Sequence, residues 1–244
     1  MHRWWAGSEE AFVFSYIFMK ILESRPSRYD WGINLLTGGH ARRVKKEIIE
    51  EWVRPGIELL DMGCGTGELL EGAAQKGANV TGVDISEGML SIAKQRFSSA
   101  EFRGKHALIH AGVAELDSFF AENTFDLITA TLVFSELHRE ERGWALDQMR
   151  RILRPAGTLI IAEEVRPRTY LKKVLYLLGR FPLAVVTYLW AQTGTRAVPD
   201  IAAEVSQAGF EVGNESRSLL DSFAVVTATK PERADPGRTG TMRS

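Results

Sequence analysis

Apolar positions recur in two rhythms along this chain. Near the N-terminus the spacing is helical. Phe12, Tyr16 and Met19 follow Ser8, Glu9 and Glu10, a cap with acids in the first turn. Arg25-Pro26-Ser27 breaks that helix. A short second helix is expected over 29–36, closed by Gly38-Gly39. A third sets Ala41, Val44, Ile48 and Trp52 on one face, with Arg42, Arg43, Lys45 and Lys46 on a solvated one. From residue 57 short apolar runs alternate with amphipathic stretches. Strands are expected over 57–62, 79–84, 107–111, 125–132 and 158–162. Helices fall between them, one capped by Ser86 and one carrying Ala145, Met149, Ile152 and Leu153, and Arg154-Pro155-Ala156-Gly157 reads as the turn before the fifth strand. Such alternation argues for an α/β parallel sheet with helices on both faces.

Beyond the fifth strand the pattern changes again. Residues 166–197 are apolar without a strand rhythm, with Lys172, Lys173 and Arg180 set among Leu, Val, Tyr and Phe. A helix follows over 199–209, then two strands over 210–217 and 222–229, read as an antiparallel pair. The reading is an N-terminal helical lid (1–54), an α/β domain (55–230) with an apolar helical cap insertion (166–197), and a disordered polar tail (231–244).

The densest signal is Asp61-Met62-Gly63-Cys64-Gly65-Thr66-Gly67, placed between a strand and a helix. Glycines there permit a sharp turn and close approach of a ligand to the main chain. The helix start beyond offers N–H groups to an anion. Asp84 ends the next strand, about twenty residues on, where an acid in nucleotide-binding α/β folds takes ribose hydroxyls. A dinucleotide site expects Gly-x-Gly-x-x-Gly, and an acid ahead of the loop would repel a pyrophosphate. S-adenosylmethionine carries an ammonium, a carboxylate and ribose hydroxyls, which match Asp61, the loop N–H groups and Asp84.

Composition removes several other classes. The formal net charge over 244 residues is −1, so no global field favours nucleic acid. The single cysteine, Cys64, rules out an intramolecular disulfide or a cysteine metal cluster, and fits a cytoplasmic setting. The apolar stretch 11–19 lacks a signal-peptide cleavage site, and the clean run 183–191 is too short to span a bilayer. No metal is expected. Oligomeric state is left open.

At these residues the chain resembles the class I S-adenosylmethionine-dependent methyltransferases. The resemblance rests on the 61–67 loop, Val83-Asp84-Ile85-Ser86, Phe125-Asp126-Leu127-Ile128 and Leu153-Arg154-Pro155-Ala156-Gly157. It implies a Rossmann-like, seven-stranded, mostly parallel sheet of order 3-2-1-4-5-7-6. It also implies that Asp61, Gly63, Cys64, Gly65 and Gly67 line the methionine part of the cofactor. Asp84 holds the ribose, Ile85 packs on adenine, and Thr131 and Leu132 lie near the sulfur. Where relatives carry Asp or Asn followed by Ala after strand 3, this chain has Gly112 and Val113, so adenine is expected to use main-chain contacts there. Ser135 and Glu136 stand where many relatives have a His pair. The flanks, including Val133-Phe134-Ser135-Glu136-Leu137 and Glu164-Val165, also resemble the corrinoid protein-associated subgroup.

The acceptor side is read from the rim. Glu136, His138 and Glu163 are the candidate catalytic groups, able to orient an acceptor or move a proton. Tyr29 is a candidate lid residue over the cofactor. The insertion has three readings: a packed cap, an apolar acceptor or docking surface, and peripheral membrane contact. The expected activity is methyl transfer by in-line displacement to a small-molecule or protein acceptor, apolar or linked to corrinoid metabolism. The competing class is a non-catalytic S-adenosylmethionine-binding sensor.

Overall fold

The computed structural model describes residues 39–98, 102, 104–168 and 197–232. The expected helices before residue 38, Tyr29, nearly all of the insertion and most of the tail lie outside the described residues.

Seven strands form one sheet of order β3-β2-β1-β4-β5-β7-β6. They are β1 (Glu58–Met62), β2 (Asn79–Asp84), β3 (His106–His110), β4 (Phe125–Thr131), β5 (Leu153–Glu164), β6 (Glu211–Ser218) and β7 (Phe223–Thr229). The first five run parallel, and β7 runs antiparallel to both β5 and β6. The described helices are α1 (His40–Trp52), α2 (Glu68–Gln75), α3 (Glu87–Ser98), α4 (Leu116–Phe119), α5 (Arg139–Ile152) and α6 (Ile201–Gln207).

Adjacent residues in the central strands are apolar because both sheet faces are covered. Leu59, Leu127 and Ile160 enter the core shared with Val44 and Ile48 of α1, Leu69 and Leu70 of α2, and Leu90 of α3. Their neighbours Leu60, Ile128 and Ile161 point the other way, into the core with Leu146 and Met149 of α5 and Val205 of α6. The end of the N-terminal segment is therefore packed into the α/β core through α1. Strand β6 is the outer edge, and its Glu, Asn, Ser and Arg side chains discourage pairing with another sheet.

One element differs from the reading of the sequence. The turn expected at residues 154–157 lies inside β5 instead of ahead of it. Leu153 already pairs with Phe125, then the register slips and resumes at Leu127 opposite Thr158. Ala156 takes φ 59° at this bulge. Lys230 closes it, its carbonyl accepting from Ala156 N at 2.9 Å and its N–H donating to Gly157 O at 3.0 Å.

Helices α5 and α6 are joined by Arg142. Its Nε and Nη2 donate to Glu204 at 2.7 and 2.8 Å, and Nη1 donates to Leu137 O at 3.0 Å. The guanidinium side is 6% exposed and the carboxylate side 20%. Removing one partner of such a pair leaves the other charged and poorly solvated. Arg142→Ala is expected to cost about 3 kcal/mol, at the low end for buried pairs because water reaches Glu204. Denaturant unfolding measures this. Arg142→Met with Glu204→Leu should recover most of the loss.

Candidate active site

The site lies at the carboxyl ends of the parallel strands, where the chain leaves β1 and β4 in diverging directions. After β1, Gly63, Gly65 and Gly67 adopt φ of 69°, 54° and 76°. The N–H groups of Gly63 and Cys64 both donate to Val83 O on β2, at 2.8 and 3.0 Å. Gly67 N then donates to Cys64 O at 3.0 Å, and α2 begins. A Cβ on Gly63 would collide with Val133 Cγ2, so the close approach of the post-β4 loop depends on glycine there.

Asp84 ties the two loops that flank the crevice. Its Oδ2 accepts from Gly65 N at 2.7 Å, and its Oδ1 accepts from Ser86 N at 2.8 Å. A carboxylate oxygen can accept more than one hydrogen bond. Beyond it Ile85 is 75% exposed, an apolar platform at the mouth. Its carbonyl is held by a His110 ring nitrogen at 2.9 Å. Gly112 N donates to Glu115 Oε2 at 2.8 Å, which fixes the loop after β3.

These elements enclose a crevice of about 360 Å³, within the range of small-molecule sites. Of the residues singled out in the sequence, Gly63, Gly65, Asp84, Ile85, Gly112 and Val113 line it. Thr131, Leu132 and Glu136 line its β4 side. Met89, Val133 and Leu137 also line it, and the sequence reading gave them no role in cofactor binding. The Thr131 hydroxyl is buried without a hydrogen-bond partner among the described residues. An orphaned polar atom in a crevice wall marks a place for a ligand group. Leu132 adopts φ 58°, a conformation that costs a leucine about 1–2 kcal/mol.

Three of the loop residues stand behind the wall. Cys64 is buried, its sulfur within reach of a Cβ built on Gly82, and burial pushes its thiol well above the ordinary range. Gly67 packs on Ala93 of α3. Asp61 is 3% exposed, and its Oδ1 accepts from Thr129 Oγ1 at 2.7 Å. Burial lifts its carboxyl from 3.8 to about 6, against the Thr129 hydrogen bond and the Lys45 charge. A raised carboxyl favours the fold while neutral, so this contribution is full below about 3.8 and lost as pH rises through about 6.

The candidate catalytic groups separate. Glu136 is exposed on the crevice rim. His138 starts α5, its N–H donating to Glu141 Oε2 at 2.7 Å, and it is not part of the wall. Glu163 is fully buried and also absent from the wall. Its Oε2 accepts from Phe134 N at 2.6 Å and its Oε1 from Glu164 N at 2.8 Å. Burial outweighs these donors and lifts its carboxyl from 4.5 to about 7. No cluster of three or more metal-ligating side chains occurs among the described residues.

The spacing of glycines, the paired use of Asp84 and the orphaned Thr131 hydroxyl fit an amino-acid-bearing nucleoside better than a pyrophosphate. Comparison with known proteins agrees. A family profile described as "Methyltransferase domain" matches residues 59–157. Demethylmenaquinone methyltransferase of Bacillus cereus (strain B4264) is 28% identical over 229 residues, covering 87% of this chain and 94% of that protein. The enzyme of the same name from Bacillus anthracis (strain A0248) is equally similar, 28% over 229 residues. In fold, the chain matches a SAM-dependent methyltransferase from Methanosarcina mazei with a TM-score of 0.60 and 22% identity, over 76% of this chain and 97% of that one. It also matches magnesium protoporphyrin IX methyltransferase from Synechocystis with a TM-score of 0.57 and 19% identity, over 78% and 81%. Residues 59–157 match a methyltransferase domain, the relatives are methyltransferases and the fold is that of one, so site geometry, profile and relatives all support S-adenosylmethionine-dependent methyl transfer.

Proposed function

We propose that this enzyme methylates an apolar, ring-bearing acceptor of the quinol type by in-line displacement. The observation that carries the reading is the β4 end of the crevice. Leu132, Val133 and Leu137 form an apolar wall there, with the Glu136 carboxylate at its rim. The likeness to demethylmenaquinone methyltransferases over 87% of the chain supports the same acceptor class. The relatives' names give no support to the corrinoid link.

In this reading S-adenosylmethionine supplies an electrophilic methyl group on a sulfonium. Asp84 takes the ribose hydroxyls, and Ile85, Met89 and Val113 bracket adenine. Gly112 contributes main chain beside it. The glycine loop serves the amino-acid part with Asp61 buried behind it, and Thr131 and Leu132 lie by the sulfur. Tyr29 is proposed to close over the bound cofactor. Much of the rate gain comes from holding acceptor and methyl in line without water, worth about 7–11 kcal/mol in ideal cases. In this reading Glu136 takes a proton from a ring hydroxyl, which raises the nucleophilicity of the ring. His138 acts as the start of α5.

No helix among the described residues is long and apolar enough to cross a membrane. A cytoplasmic enzyme meeting its acceptor at a membrane surface fits this reading.

The test is incubation with methyl-labelled S-adenosylmethionine and a short-chain demethylmenaquinone reduced to its quinol. Labelled methylated quinol with equimolar S-adenosylhomocysteine is expected, the ring C–H proton leaving as the C–CH3 bond forms and the C–S bond breaks. If a lipid extract of the source cell accepts label and the quinol does not, the acceptor class is wrong. Cofactor binding without turnover in either arm would favour a sensor.

A further inference from the structure

We propose that Glu163 is a positioning residue: its buried carboxylate is the anchor on which the loop after β4 is wound, and through that loop it sets the crevice wall beside the methyl group. The attachment is read from geometry, and its consequence for transfer rests on the methyltransferase reading.

Glu163 lies one residue short of the end of β5, with Ala224 of β7 as its register partner. Its carboxyl accepts from two backbone N–H groups, Phe134 N at 2.6 Å on the loop and Glu164 N at 2.8 Å on the strand. One carboxylate accepting from N–H groups of two separate segments ties the loop to the strand end. The loop leaves β4 through Leu132, whose N–H donates to Ala162 O at 2.9 Å and whose φ is 58°. A leucine does not keep that conformation unless its neighbours hold it. Just before the attachment Val133 lies against Gly63, and just after it Glu136 and Leu137 enter the crevice wall. One buried carboxylate thus fixes both the wall and the contact with the glycine loop.

The anchor needs its charge. The two bonded groups are backbone N–H donors, one on each carboxylate oxygen, and protonating either oxygen turns it from acceptor to donor and weakens its bond. Along the chain the nearest titratable groups are Glu136 on the loop and Glu164 on β5, and among the described residues no charged group is among those that shift it. Burial brings its titration to about 7, so the loop is held above that pH and loosened below it. The fold as a whole follows the opposite sign: the neutral acid is favoured by burial, so its stability contribution falls as pH rises from about 4.5 through about 7.

Hydrogen exchange tests this without any ligand. In the wild-type protein the protection of the Phe134 and Glu164 amides, corrected for intrinsic rate, should rise about tenfold or more between about pH 6 and pH 8. Glu163→Gln presents its own N–H₂ to those donors. It should lose that protection and show no inflection, and Glu163→Asp, which keeps the charge, should recover part of it. S-adenosylhomocysteine affinity should follow the same curve above about pH 6.5, where Asp61 is already ionised. Protection that is flat with pH in the wild type, or unchanged in Glu163→Gln, overturns the proposal. Failure to turn over the quinol would sink the acceptor assignment and leave these amides as the test of the anchor.

Discussion

Gly63→Ala is expected to lower S-adenosylhomocysteine affinity by at least about a hundredfold while the chain still folds. Two costs combine. At φ 69° an alanine is in the left-handed region, which costs about 1–2 kcal/mol. Its Cβ would also overlap Val133 Cγ2. Val133 cannot simply retreat, because Leu132 N is bonded to Ala162 O at 2.9 Å and Phe134 N to Glu163 at 2.6 Å. The overlap is relieved only by moving the glycine loop or the crevice wall, and both form the cofactor site. About 3 kcal/mol in total corresponds to somewhat more than a hundredfold in affinity. Calorimetry with S-adenosylhomocysteine measures it, and circular dichroism checks the fold. Gly63→Ala with Val133→Ala separates the terms. The double variant should regain the part due to collision and keep the part due to φ, since the two residues couple directly. Native affinity in the single variant would place the ligand away from this loop.

The sheet was legible because its determinants are local and repetitive. Buried parallel strands are apolar on both faces, so 57–62, 79–84 and 125–132 stand out from the amphipathic helices between them, and the sheet has the expected order. The glycine loop was legible because few other residues can make that turn. Asp84 was legible by position, but its second task of bonding Gly65 and Ser86 was not, since no spacing encodes it. Glu163 and Glu164 illustrate the limit more sharply. Adjacent residues at a strand end face opposite sides, and the sequence does not say which acid meets the crevice. Tertiary packing turned Glu163 inward onto the loop. The bulge in β5 was hidden because Arg154-Pro155-Ala156-Gly157 has turn chemistry, and only pairing with Phe125 makes Leu153 part of the strand. Glu115 had a usable signal: an acid three residues after a loop glycine matches the spacing of a capping box. His110 had none, because its contact is with the Ile85 carbonyl of another strand end.

Asp84→Ala is the second substitution expected to act strongly, and its effect should exceed that of a lost ribose contact. A hydrogen bond between a charged group and a ligand hydroxyl is worth about 1.5–3 kcal/mol. Here the same carboxylate also satisfies Gly65 N at 2.7 Å and Ser86 N at 2.8 Å. Without it both N–H groups lose their acceptor, and the loops on either side of the ribose position lose their common tie. The expected loss in S-adenosylhomocysteine affinity is about a hundredfold to a thousandfold. Asp84→Asn should fall between, because one side-chain oxygen remains for one of the two N–H groups while the amide nitrogen faces the other as a donor. The two roles separate with an S-adenosylhomocysteine analogue that lacks both ribose hydroxyls. If Asp84 holds the ribose, the analogue binds the wild type weakly, and Asp84→Ala weakens it by less than it weakens the parent. Equal weakening of both ligands would mean that Asp84 only braces the loops and the sugar is held by other groups. Because the carboxylate stands between loop and ligand, cofactor binding in turn should steady the loop, visible as slower exchange of the Gly65 amide in the wild type and not in Asp84→Ala.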